Sequence, residues 1–126
     1  MGELSDRLYE KPFESLRSTH AEVKRTYYKL KAEMSRTDKQ ISELYHELEK
    51  VDLNEDIGYQ YSIALQNLLR RRRVIKDEFI PIDIMFQSLS ESIESLKERI
   101  GRNREKSEEI RASLNVQLRI AEFLNV

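Results

Sequence analysis

Between Tyr9 and Val51 one set of positions recurs in alternating steps of four and three residues: Tyr9, Phe13, Leu16, His20, Val23, Tyr27, Leu30, Met34, Thr37, Ile41, Leu44, Leu48 and Val51. Seven residues span nearly two helical turns, so this spacing draws one narrow stripe along a helix and no stripe along a strand. Only His20 and Thr37 interrupt its apolar character. A helix of that length runs about 65 Å and must lay its stripe against something.

The segment Asp52-Leu53-Asn54-Glu55-Asp56 ends the first stripe, and Asn54 or Asp56 can cap a new helix. A second stripe follows: Tyr61, Leu65, Leu68, Arg72, Ile75, Phe79, Ile82, Phe86, Leu89, Ile93, Leu96 and Ile100. It keeps its register through Pro81, where the helix either kinks or ends. The kink is the preferred reading, because Pro81 falls off the stripe and no good cap precedes it. Laid antiparallel, the two stripes face each other wherever residue numbers sum to 109. Leu44 then meets Leu65, Ile41 meets Leu68, and Val23 meets Phe86. The two polar exceptions Thr37 and Arg72 share a layer, and His20 falls opposite Leu89.

The composition agrees with long, surface-rich helices: 36% of residues are charged, with three Gly and two Pro among 126. Leu4, Leu8 and Tyr9 offer an early start to the first helix, and Pro12 suits a first turn. Gly101-Arg102-Asn103-Arg104 reads as a break. Beyond it, Ile110, Leu114, Ala121 and Leu124 repeat at helical spacing, while Leu114–Ile120 also alternates like a strand; Val126 closes the apolar set. The expected fold is all-α, a single domain over residues 1–126. It is a long antiparallel helical hairpin with coiled-coil-like heptads and a C-terminal helix, assembled as an oligomeric bundle. The helices are expected near 12–51, 56–100 and 104–124.

Composition also narrows function. There is no Cys, so thiolate and disulfide chemistry are excluded. No apolar run approaches the length of a membrane span and no secretory pattern opens the chain, so a soluble, cytoplasmic protein is expected. The net charge of −1 lacks the basic excess of a bulk nucleic-acid binder. No phosphate loop, nucleophile elbow or metalloprotease pattern occurs, and neither enzymatic activity nor a cofactor is expected.

The most unusual chemistry is the run Arg70-Arg71-Arg72-Arg73 on the second helix. Four consecutive helical residues point to every side. Arg72 faces the first helix and Arg71 flanks it. Arg70 and Arg73 share an outer row with Tyr59, Ile63, Gln66 and Asp77. That row has two readings. It is an anion site, with Arg70 and Arg73 gripping phosphate in bidentate fashion and Tyr59 or Tyr61 stacking on a base. Alternatively it is a solvated face held by pairs such as Arg73–Asp77. His46 and Glu49 stand on the outer face of the first helix. They serve a structural hydrogen bond or a contact to the arginine row of another subunit, since no second His-carboxylate helix completes a metal shell.

Helix 2 carries more apolar residues than one stripe uses: Ile63, Leu69, Val74, Ile80, Ile84 and Met85. A helix apolar on several sides is buried on several sides. The C-terminal helix is expected to cover part of that surface and a second subunit the rest.

Residues 38–78 resemble small helical proteins of Firmicute phages and prophages. The shared features are Asp38, Glu43, His46 and Glu49, then Leu53-Asn54 and Gly58-Tyr59, then Arg70 to Arg73 with Ile75-Lys76-Asp77-Glu78. The resemblance implies no activity. It implies a phage-type accessory protein acting in the host cell, of a kind that often binds host defence components or sequesters their nucleotide signals. The expectation from residues and resemblance together is a non-enzymatic, homo-oligomeric binding protein. Its arginine row, Arg70 and Arg73 with Arg71, Tyr59, His46 and Glu49 beside them, would capture an anionic partner: a nucleotide signal, a short nucleic acid or an acidic protein surface. The alternative is a structural coiled-coil adaptor without a ligand.

Overall fold

The computed structural model describes residues 7–125. Leu4 and Val126 therefore lie outside the described residues. Two long helices, α1 (Glu10–Lys50) and α2 (Glu55–Ser113), pack against each other, and a single 3₁₀ turn follows at Ile120–Glu122. Among the described residues there is no strand, and no helix is long and apolar enough to cross a membrane. The chain divides into two compact units. One is Glu22–Phe86, the loop unit. The other joins Met1–Ala21 to Gln87–Val126, the terminal unit.

In the loop unit, α1 closes with the Val51 N–H donating to the Glu47 carbonyl at 3.1 Å. Asn54 then caps α2: its Oδ1 accepts from the Ile57 N–H at 2.9 Å, and its carbonyl takes the first helical bond from Gly58 at 2.8 Å. Glu55 and Asp56 occupy the first turn, where negative charge meets the positive end of the helix dipole. Of the two caps the sequence offers, Asn54 is the one used.

The register matches the sequence. Tyr61 donates to Glu47 at 3.3 Å and Arg72 donates to Asp38 at 2.7 Å, and these pairs of numbers sum to 108 and 110. The Tyr27 ring sits between Phe79 and Phe86, with centroids 5.3 and 4.6 Å away. Its expected opposite, Ile82, lies midway between them in sequence. Val23, Thr37 and Leu44 are buried, and all three are stripe positions. Every α2 stripe position from Tyr61 to Phe86 is half-buried.

In the terminal unit, His20 Nε2 bonds the Ser90 hydroxyl at 2.8 Å, one position from the expected Leu89. Arg104 donates to the Tyr9 hydroxyl at 3.2 Å and to Glu10 at 3.3 Å, and also pairs with Glu108 at 3.1 Å. Its reach back along α2 follows the N-terminal lean of helical side chains. Arg7 donates to Ser107 at 3.5 Å.

Three expectations need correction. First, Gly101 does not break the helix. It lies inside α2 without a positive φ, and Arg102–Glu98 and Arg104–Glu108 pairs brace its neighbourhood. An interior glycine costs about 1 kcal/mol, too little to end a helix supported on both sides. Second, there is no separate helix at 104–124. Its first half belongs to α2, which ends in a Schellman turn at Asn115, φ 54°. The Val116 N–H bonds the Arg111 carbonyl at 2.8 Å and the Asn115 N–H bonds Ala112 at 3.2 Å. Residues 116–119 then have no regular structure, and Arg119 is extended. The alternation at Leu114–Ile120 thus forms no strand: Leu114 and Asn115 make the turn, and Ile120 opens the 3₁₀ turn. Third, the outer face of α2 in the loop unit was expected to be covered, but Ile63, Val74, Ile80, Ile84 and Met85 all remain exposed. At Pro81, where a kink was preferred to a stop, the helix does not end.

Candidate functional site

The arginine run lies in the loop unit, in the fifth and sixth turns of α2, and the structure separates its four members by their partners. Arg72 is half-buried within the stripe, and its Nε donates to Asp38 Oδ1. Arg71 reaches Glu33 Oε2 at 3.0 Å; Glu33 also receives Arg36 from its own helix. Both guanidiniums are thus held by α1 carboxylates. Arg73 lies 4.0 Å from Asp77, at the limit of an ion pair. Arg70 makes no hydrogen bond or ion pair with any described residue.

Arg70 and Arg73 line one open groove with Ser62, Leu65, Gln66, Leu69 and Arg72. The groove is walled by side chains of α2 alone. It therefore presents two outward guanidiniums beside aliphatic surface, an arrangement that binds carboxylate or phosphate through charged hydrogen bonds. It supplies no nucleophile, base or oxyanion donor set.

The other expected site residues do not converge on it. Tyr59 is 68% exposed and lies a heptad before Gln66, outside the groove lining. Tyr61, the alternative stacking ring, is turned toward α1. Desolvation raises its hydroxyl above the ordinary 10.0, and the charge and hydrogen bond of Glu47 add to that rise. His46 and Glu49 are exposed on α1 and make no hydrogen bond or ion pair among the described residues. No group of three or more His, Cys, Asp or Glu there could hold a metal ion.

Sequence reasoning missed Glu33 and Asp38 as arginine partners. The signal for Asp38 was present, because at the 109 register it stands opposite Arg71, next to Arg72. For Glu33 the signal was absent: at the 109 register it stands opposite Lys76, and only the long Arg71 side chain brings the pair together.

No protein-family model matches the chain, and neither a curated protein nor a solved structure matches it.

Proposed function

We propose that the protein is a non-enzymatic binding module. Its working surface is the outer face of α2, and its partner is an acidic protein surface. The observation that carries this reading is the contrast within the arginine run. Arg71 and Arg72 are tied to α1, whereas Arg70 is unclaimed and Arg73 only loosely held, on a face that also exposes Ile63, Ile80 and Ile84. Outward cations among exposed aliphatics suit a partner that is acidic and partly apolar. A nucleotide is less well served, because the groove has one wall and Tyr59 lies outside it. An accessory role in a host cell, of the kind found among the phage proteins that residues 38–78 resemble, requires only such a surface.

A second reading has support of its own. Three of the four arginines have a carboxylate within 4.0 Å, as a solvated adaptor helix would. The variant Arg70→Ala/Arg73→Ala separates the two. Fluorescence anisotropy with labelled polyglutamate, ATP and a short DNA strand measures capture, and circular dichroism measures folding. The binding reading expects an unchanged melting curve and polyglutamate affinity lowered by about tenfold or more, since each charged hydrogen bond contributes about 1.5–3 kcal/mol. Unfolding of the variant, or unchanged capture, supports the adaptor.

A further inference from the structure

The terminal unit holds a cleft of its own, apart from the arginine run. It lies between the start of α1 and the stretch of α2 around Gly101, with a volume of about 350 Å³. Unlike the groove of Arg70 and Arg73, it has a wall from each helix. Phe13 and Ile100 give it apolar surface, and Tyr9 adds a second ring.

The charges of the cleft differ in how firmly they are held. At one end Arg104 donates to Tyr9 and Glu10 and pairs with Glu108, so Glu10 is engaged. About two turns further along the helices stand Arg17 and Lys97. Arg17 lies 3.8 Å from Glu14, near the limit of an ion pair. Lys97 is exposed and makes no hydrogen bond or ion pair with a described residue. With Glu10 taken and Glu14 offset by Arg17, Lys97 leaves that end positive.

Gly101 in the lining is not explained by the chain's own packing. Its backbone is helical without a positive φ, so alanine would fit the conformation and favour the helix. A Cβ at this position would meet no described atom within 4 Å, so no neighbour forbids one. The bare backbone instead widens the cleft, and glycine serves where a backbone must approach a ligand closely. A residue that weakens its helix without easing the fold marks a functional position.

We propose that this cleft binds a small planar-ring compound bearing one phosphate. The ring lies over the Gly101 backbone beside Phe13 and Ile100, and the phosphate takes charged hydrogen bonds from Lys97 and Arg17. The volume is at the small end of ligand sites, about 300–1,000 Å³, and suits one such molecule. This site is independent of the acidic-partner reading.

Isothermal titration calorimetry on the full chain tests it. The probes are phenyl phosphate and AMP, with inorganic phosphate and adenosine as controls that lack the ring or the charge. At least one ring phosphate should bind about tenfold or more tightly than either control. A preference for AMP assigns nucleoside phosphates, and a preference for phenyl phosphate assigns aryl phosphates. Lys97→Ala, at an exposed position, should weaken binding by about tenfold through loss of a charged hydrogen bond. Gly101→Leu should abolish binding while raising the melting temperature, because its side chain fills the cleft and favours the helix. Arg70→Ala/Arg73→Ala should leave binding unchanged. Ring phosphates that bind no better than the controls overturn the proposal, as does wild-type affinity in Lys97→Ala or Gly101→Leu. Loss of binding in Arg70→Ala/Arg73→Ala also overturns it and places the ligand in the arginine groove.

Discussion

Thr37 shows what a single side chain contributes to this hairpin. It is fully buried in the layer of Arg72, and its hydroxyl has no hydrogen-bond partner. A buried unsatisfied hydroxyl costs about 1–3 kcal/mol, and valine has the same branched shape without the oxygen. Thr37→Val should therefore stabilise the protein by about 1 kcal/mol, read as a higher denaturation midpoint at unchanged slope. Arg72 beside it resolves the problem of a cation in the seam by pairing with Asp38, and both side chains remain more than a third exposed. Such a pair contributes about 0–1 kcal/mol, so Arg72→Leu should leave the midpoint within about 1 kcal/mol of wild type. Tyr61 gives the loop unit a pH dependence. Its proton is held more tightly in the fold than in the unfolded chain, so its contribution is whole below the ordinary tyrosine value and is lost as pH rises through the folded value, above 10.0. Desolvation is the larger cause and Glu47 the smaller. Phenolate absorbance should show Glu47→Gln moving part of the tyrosine titration to lower pH, and Tyr61→Phe should remove that late fraction. The same titration curve in wild type and Glu47→Gln would contradict the contact.

Among the elements, α2 carries both the successes and the failures of sequence reasoning. Its stripe and its start near Asn54 or Asp56 were legible because heptad spacing and N-cap chemistry are local signals, and the structure selects Asn54. Asn54→Ala should cost about 1 kcal/mol by chemical denaturation. Its end was not legible. Gly101 carries the composition of a break but adopts helical backbone, whereas the true stop is Asn115, an asparagine that accepts the left-handed conformation. Asn115→Gly should keep the helix end intact. Asn115→Val should fray it, seen as faster amide exchange at residues 111–116, because a β-branched residue is strained at φ 54°. Pro81 was ambiguous for a related reason. A missing N–H and a ring clash disfavour a helix by about 3 kcal/mol, and only the packing of the flanking stripe residues offsets that cost. Periodicity reports where those residues fall but not how much they bury. The candidate site was legible to the same extent. The row of Arg70 and Arg73 followed from helical spacing, while the capture of Arg71 by Glu33 depended on side-chain reach that spacing does not contain.

At the scale of the whole molecule, two facts stand side by side. The hairpin register follows the 109 rule within the loop unit, so Ile41→Cys/Leu68→Cys should crosslink readily on oxidation while Ile41→Cys/Ile82→Cys should not. Yet among the described residues only Val23 and Leu44 are buried apolar side chains, while Ile63, Val74, Ile80, Ile84 and Met85 face outward. One pair of helices buries one stripe each, and α2 has apolar surface to spare. The binding reading requires that a partner cover this outer face. The most direct measurement is light scattering across the micromolar range on the wild type and on Ile84→Glu, with circular dichroism on both. The expected result is a wild-type mass rising to at least twice 15.0 kDa, and an equally helical Ile84→Glu that remains a monomer. A wild type fixed at the monomer mass throughout, or an Ile84→Glu that associates as strongly as wild type, would contradict it.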